Sequence, residues 1–338
     1  MLGLSLGLVG FALLSATLFD VVKTTLVFTR TGGPMTHRLS RGLWQLLRPR
    51  AHESERLARY LGPGILLGIV ITWLFLSWVS WTLIFMASPG AVLNSQTMEP
   101  AGVAARAYFA GFNLFTLGIG DYVPQGALWQ LLSVVSSAQG FFVITLAITY
   151  IIPVVASVTQ RRQLASQLTF MGERAQDILV RAWNGQSFGM LENRLLSLVP
   201  QLVQLEQQHF TYPVLHFFVE RERRIAIEPA VVALDEALLM LEGAVSREVT
   251  LDHAVISDVR SAISAYLRTL EDEHVQGAQE VPRTAPLGPL SDAGIPLARD
   301  AYAETAAAHE KRRRLLSALL QHSGWRWEEV IVECPHED

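Results

Sequence analysis

Residues 116–121 read Thr-Leu-Gly-Ile-Gly-Asp, and they lie between two long apolar stretches, 63–86 and 128–157. A hydrocarbon core roughly 30 Å thick needs about 20 apolar residues as helix. Each flank meets that length, as does a third stretch at 2–28. The six residues therefore belong to a segment that leaves one span and returns in the next. Upstream, Ala104, Ala105, Ala107, Tyr108, Phe109 and Ala110 favour a short helix through about Leu114, with Pro100 suited to its first position. Irregular backbone at membrane depth is tolerated only where it is buried in protein or lines a watery path. Gly118 and Gly120 alternate with side-chain-bearing residues, which predicts positive φ at both glycines and successive carbonyls aimed one way.

Composition agrees with a membrane protein. Half of the 338 residues are hydrophobic and 17% are charged, which excludes disorder and an ordinary soluble enzyme. The net charge of −4 identifies no partner class and gives no reason to expect nucleic acid. The single cysteine, Cys334, excludes an intrachain disulfide. Of 27 basic residues two are lysine, Lys23 and Lys311, so 25 are arginine, a composition that fits a GC-rich bacterial genome. The 2–28 stretch has no positive residue before its apolar run and is too long for a cleaved leader, so it reads as a retained helix. Segment 30–60 carries Arg30, Arg38, Arg41, Arg48, Arg50, Arg56 and Arg59 against Glu53 and Glu55, whereas 87–103 has one carboxylate, Glu99. Arg-rich short loops stay cytoplasmic, which puts 30–60 inside, 87–127 outside, the N-terminus outside and the C-terminal region in the cytoplasm. Arg161 and Arg162, just after the third span, agree.

The run Thr-Leu-Gly-Ile-Gly-Asp-Tyr-Val-Pro at 116–124 resembles the filter Thr-Val-Gly-Tyr-Gly-Asp and its exit in the potassium channel pore-domain superfamily, here with one pore loop per chain. That resemblance implies K+ coordinated by the carbonyls of Thr116, Leu117, Gly118 and Ile119 and by the Thr116 hydroxyl, with Gly120 completing the loop and Asp121 at the outer mouth. Carbonyl rings of this kind replace an ion's hydration shell. One loop cannot encircle an ion, so a homotetramer in membrane lipid is implied. Two positions depart from the family pattern: Phe115 stands where a second threonine is usual, and Ile119 where tyrosine is usual. Bracing at Ile119 must then be apolar, with Phe109 as the expected neighbour. The alternatives are a weakly selective monovalent cation channel, a potassium transporter subunit, and a non-conducting membrane sensor whose helical region binds a partner. A transporter of that type has four pore repeats with one glycine per loop, and this chain has one repeat with two.

The expected architecture is an all-α membrane protein with three transmembrane helices, a re-entrant pore helix and filter loop, and an all-α cytoplasmic bundle. Its parts are an extra N-terminal helix at 1–29, an Arg-rich cytoplasmic linker at 30–62, a pore domain at 63–158 and a helical cytoplasmic domain at 159–338. Gly140, inside an unbroken apolar helix, reads either as a hinge or as a packing glycine, and both place it on a helix contact. Pro153 is expected to kink or terminate that helix at its cytoplasmic end, with Thr145, Thr149 or Ile152 lining the inner mouth. Asp20 and Lys23, three apart, are expected to pair on one face of the first helix.

Beyond 160, leucine spacing at 191, 195, 198, 202 and 205 and apolar spacing at 255, 259, 263, 267 and 270 predict helices. The pieces fall at 160–183, 188–209, 228–248, 252–274 and 300–322, with a Pro-rich irregular linker at about 276–298. His209 and His216 flank Tyr212-Pro213; on one helix they would be roughly 10 Å apart, too far for one metal, so the run reads as a buried aromatic hairpin. Glu328, Glu329, Glu333, Glu337 and Asp338 read as a solvated acidic end. No catalytic constellation, phosphate loop or organic cofactor motif occurs. A non-enzymatic protein of the bacterial inner membrane, open to an unidentified cytoplasmic regulator, is the expectation.

Overall fold

The computed structural model describes residues 2–27, 31–271, 278, 280–298 and 301–331; Arg30, Cys334, Glu333, Glu337, Asp338, the side chains of Glu53 and Glu55 and the first part of the Pro-rich segment lie outside them. Helix dominates. Three helices are long and apolar enough to cross a membrane, within α1 (Leu2–Thr25), α3 (Glu55–Phe85) and α5 (Ala127–Met171). Between them lie α2 (Pro34–Glu53) and α4 (Val103–Leu114), and a two-stranded antiparallel ribbon, β1 (Leu93–Asn94) with β2 (Tyr122–Val123). The chain divides into two compact units, Met1–Leu46 with Pro63–Val154 and Leu47–Gly62 with Val155–Asp338.

In the first unit the helix ends are held by side chains from other elements. The expected linker is helical instead: Pro34 opens α2, where a missing N–H costs nothing. The α2 N-terminus is capped by Asp20 of α1. The buried Asp20 carboxylate accepts from Met35 N at 2.7 Å, Thr36 N at 3.2 Å, Thr36 Oγ1 at 2.6 Å and Trp73 Nε1 at 3.0 Å. Thr24 Oγ1 accepts the neighbouring Gly33 N–H at 2.9 Å. Asp20 is thus committed to α2 and α3, and the expected pairing with Lys23 gives way to four donors that have no water to turn to. Close packing of α1 on α3 and the turn after it uses Gly3, Gly7 and Gly10, where an added Cβ would stand 2.6 Å from Ala87 O, 2.7 Å from Ala87 Cβ and 2.7 Å from Ser80 O.

α5 does not stop at Pro153 but continues to Met171. A proline deletes one helical hydrogen bond, and packing of the buried neighbours Tyr150, Val154 and Val158 outweighs that single loss. Gly172, whose Cβ would lie 2.4 Å from Ile178 N, then ends it, so the expected piece 160–183 is two helices, the end of α5 and α6 (Ala175–Ala182).

The second unit is built around α8 (Ile227–Gly243), a helix buried on all sides. Its surroundings are α6, α7 (Gly189–Thr211), α9 (His253–Glu271), α10 (Gly288–Asp292), α11 (Tyr302–Ala308), α12 (Glu310–Ser323) and α13 (Glu328–Ile331). The piece expected at 300–322 breaks at His309 into α11 and α12. Pro-rich residues are no loose linker, since Ala285, Leu290 and Ile295 are core and Ser246 N donates to Pro296 O. Glu329 is partly folded back, accepting from Arg326 N at 2.6 Å, while Glu328 is exposed. Its apolar residues, not its prolines, decide its burial. Charges on α8 are paired: Asp235 with Arg312 at 2.5 Å, and Glu236 with Arg313 at 2.8 Å. Burial pushes the Glu228 carboxyl up, against the opposing pull of Arg161 at 3.9 Å.

His209 and His216 are 3.3 Å apart, Nδ1 to Nδ1, because α7 ends at Thr211 and the turn Pro213–Phe217 folds the chain back. The 10 Å separation expected of one helix does not hold; the buried aromatic hairpin does, with His209 edge-on to Tyr266 at 5.1 Å between ring centres.

Asp20→Ala is expected to lower stability by about 3 kcal/mol or more, the scale for losing several charge-assisted bonds at once. Asp20→Asn should fall between, because one carboxylate oxygen becomes a donor facing donors. Thermal unfolding in detergent reads this, and an alanine variant as stable as wild type would refute the capping role.

Candidate functional site

The 116–121 stretch begins where α4 ends. Thr116 N donates to Asn113 O at 3.0 Å and Leu117 N to Phe112 O at 2.8 Å, the paired bonds of a Schellman termination. That motif needs a left-handed residue, and here it is Thr116, with φ 57°. Glycine is the usual occupant, and a β-branched residue there is an outlier. Gly118 (φ 62°) and Gly120 (φ 85°) follow in the same region, so left-handed backbone recurs at every second residue, as expected for the two glycines. Residues 115–121 are all exposed in the single chain, including Leu117 at 66% and Ile119 at 50%.

The support behind the loop differs in part from expectation. Pro100 bridges to Leu93 in the ribbon, and α4 starts at Val103 behind Gly102, three residues later than expected. Phe109 does not brace Ile119: it is 1% exposed and packs on Phe85 at 4.9 Å and Phe112 at 5.1 Å between ring centres. On a helix Tyr108 faces about 100° away from Phe109, and it is Tyr108 that reaches the loop, its hydroxyl 3.5 Å from Asp121 Oδ2. Asp121 O accepts from Ser95 N at 3.0 Å, and the adjoining Tyr122 pairs with Asn94 in the ribbon.

Three anchors were not read from sequence. Buried Arg106 gives Nε to Ala101 O at 2.8 Å, Nη1 to Phe85 O and to Ser88 O at 2.7 Å, and Nη2 to Pro89 O at 2.7 Å, so it caps the end of α3. Trp78 Nε1 donates to Ala107 O at 2.8 Å, and Trp81 Nε1 to Gln139 Oε1 at 3.0 Å. An arginine inside an apolar run was the available signal. Gly140 meets the last turn of α4: a Cβ there would lie 2.0 Å from Leu114 O. Its place on a helix contact is as expected, and the contact is with the helix that carries the loop.

A cavity of about 480 Å³ lies beside the loop, lined by Asn113, Thr116, Ser133, Ser137, Ala138 and Phe141, and the Asn113 Nδ2 is buried without a partner. Thr145, Thr149 and Ile152 are exposed, on the side of α5 away from buried Val143, Leu146, Ala147 and Tyr150. Among the described residues no group of three His, Cys, Asp or Glu side chains is placed to hold a metal. What residues 116–121 offer chemically is their backbone carbonyls, one threonine hydroxyl and one carboxylate.

Fold and composition together define an all-α membrane protein with transmembrane helices. The chain belongs to the family of the uncharacterized membrane protein YdjJ of Bacillus subtilis (strain 168), to which it is 32% identical over 319 residues, 94% of each chain. No protein-family model matches it, and no solved structure does.

Gly140→Ala is expected to cost about 1–3 kcal/mol, the range for overpacking a tight contact, with a lower unfolding temperature as the readout. Thr116→Gly should do the opposite. Relieving a left-handed threonine is worth about 1 kcal/mol, so a glycine variant less stable than wild type would show that the turn is not strained.

Proposed function

We propose that the chain is one of four identical subunits of a passive potassium channel in the bacterial cytoplasmic membrane. Leaving the outer face, α4 and residues 115–121 form a re-entrant pore helix and filter loop; the N-terminus is outside and the second unit cytoplasmic. The observation that carries this reading is the left-handed backbone at Thr116, Gly118 and Gly120, set at the end of a short helix between two spans. Alternating conformation of this sort is what lets successive carbonyls face one axis, where they exchange for water around a permeating K+. Retaining threonine where glycine would cap α4 at lower cost supports a role for its hydroxyl as the innermost ligand. Exposed Leu117 and Ile119 support burial of the loop by neighbouring copies, since large apolar side chains on a loop tip are otherwise left in water.

In this reading Asp121, tied to Tyr108, holds the outer mouth and attracts cations, and Phe141, Thr145, Ile152 and Thr149 face the inner vestibule. Gly140 makes a poor hinge, because bending there would disturb the α4 contact that carries the filter; Pro153 is the freer pivot. Phe115 and Ile119 favour bracing by packing rather than by the hydrogen bonds usual in this superfamily.

Reconstituted protein should pass thallium and potassium into liposomes, and Gly118→Ala should abolish that flux while the tetramer still assembles, because Cβ disfavours φ 62°. Thr116→Gly should impair K+ selectivity despite its gain in stability, and Ile119→Tyr should leave a selective pore. Wild-type protein without flux in any condition would favour a non-conducting sensor; flux of sodium equal to potassium would favour a weakly selective cation channel.

A further inference from the structure

The corner between α1 and α2 is rich in cations and poor in acids. Asp20 is the sole carboxylate before Glu53, and it is spent on the α2 N-terminus and on Trp73. Against it stand Lys23 in the last turn of α1 and His37, Arg38 and Arg41 in the first half of α2. Arg38 and Arg41 are exposed, and Lys23 and His37 are half-buried. Among the described residues no carboxylate pairs with Lys23 or Arg38. Burial holds the His37 imidazole below its usual range, and Arg41 and Lys23 push it the same way, so cations from two helices act on one ring.

Position along α3 sets the depth of this corner. Asp20 bonds Trp73, and a Cβ at Gly68 would lie 3.7 Å from Leu43 Cδ1, so the first half of α2 runs beside the part of the α3 span nearer Pro63, where the apolar run begins. α2 buries Thr36, Ser40 and Trp44 and turns Arg38, Arg41 and Gln45 outward at three- and four-residue spacing, with Leu46 beside them. Leu46 is 64% exposed, and Leu26 and Val27, just after α1, are exposed as well. Cations and open apolar side chains therefore stand together where the spans end.

A helix divided in this way lies in the membrane interface, its cations at headgroup level and its apolar side chains against acyl chains. A soluble anion would meet the two arginines equally well, but it gives no reason for leucine and valine left open beside them. A zwitterionic headgroup brings its own ammonium, which the cations of the corner repel. We infer that the α1–α2 corner binds an anionic glycerophospholipid of the cytoplasmic leaflet, its phosphate on Arg41 and Lys23 with Arg38 adding charge beside it. Clusters of basic residues immediately cytoplasmic of a span attract anionic lipid in this manner. The inference rests on α1 and α3 as membrane spans with 30–62 on the cytoplasmic side, and not on conduction. Lipid binding without ion flux would overturn the channel and leave this site standing.

The test is native mass spectrometry of the full-length chain in detergent, titrated with phosphatidylglycerol, phosphatidylcholine and glycerol 3-phosphate. Expected is saturable binding of phosphatidylglycerol, about fivefold or more tighter than phosphatidylcholine. Lys23→Gln and Arg41→Gln should each weaken it about fivefold, the scale for one cation near an anionic lipid surface, and Arg38→Gln about twofold or more. Arg38 is exposed, so its variant should fold as wild type even if Arg41→Gln does not. Phosphatidylcholine as tight as phosphatidylglycerol, or binding indifferent to Lys23→Gln and Arg38→Gln, overturns the site. Glycerol 3-phosphate as tight as phosphatidylglycerol overturns the assignment of a lipid in favour of a soluble anion.

Discussion

A helix that ends among apolar neighbours must have its last N–H and C=O groups satisfied by protein, because no water is available to do it. That constraint organises the first unit. The α2 N-terminus is met by the Asp20 carboxylate from α1, the α3 C-terminus by the Arg106 guanidinium from α4, and the α4 C-terminus by its own backbone turn at Thr116 and Leu117. Each cap also fixes a relationship between elements: α1 to α2, α4 to α3, and α4 to the loop that follows. Charge in this unit is therefore structural adhesive. Asp20 and Arg106 are each deeply buried, yet each touches the donors or acceptors of a helix end and not an ion of opposite sign, an arrangement in which the macrodipole of the helix supplies the complementary partial charge.

The loop inherits its geometry from these caps. α4 is pinned near its start by Arg106, in its middle by Trp78 on Ala107 O, and at its end by the approach of Gly140 to Leu114 O. With three points fixed, the direction in which the chain leaves Leu114 is fixed too, and the turn at Thr116 must accept a left-handed conformation whatever residue stands there. Strain of this kind, of order 1–2 kcal/mol for a β-branched residue, persists only where the surroundings over-determine it. Thr116 is thus held left-handed by its surroundings and not by its own preference.

Local pattern revealed elements, and long-range pairing stayed hidden. The spans, the short helix before Thr116 and the positive φ of Gly118 and Gly120 follow from composition and spacing within a few dozen residues. The partner of Asp20 does not, because the choice between Lys23, three residues away, and Trp73, 53 residues away, is made by how α1 packs on α3. Likewise Tyr108 and Phe109 are neighbours of similar character, and only the rotation of α4 about its axis decides which reaches Asp121. Pro153 and Pro213 show the two outcomes of one residue type: the first sits inside a helix held by packing on either side, the second lies past the end of α7 and lets the chain reverse. The apolar spacing of α9 was visible, but Arg312, which bonds the Arg260 carbonyl of that helix, arrives some 50 residues later.

The second unit solves a different problem, how to bury a helix completely when it carries acids. α8 places Asp235 and Glu236 side by side, and adjacent residues on a helix point about 100° apart, so one partner could not serve both. Consecutive Arg312 and Arg313 of α12 answer them one to one. The match sets the register of α12 along α8: a shift by one residue would leave a buried carboxylate without a cation and a buried guanidinium without an acid, each worth several kcal/mol. Replacing both pairs by apolar residues would save the desolvation of four charges but would lose that register. The same register carries the Arg312 guanidinium onto Ser264 Oγ and the Arg260 carbonyl of α9, so the pairing that satisfies α8 also ties α12 to α9. Charge pairing in the core and the docking of α12 on α9 are thus two results of one alignment of helices.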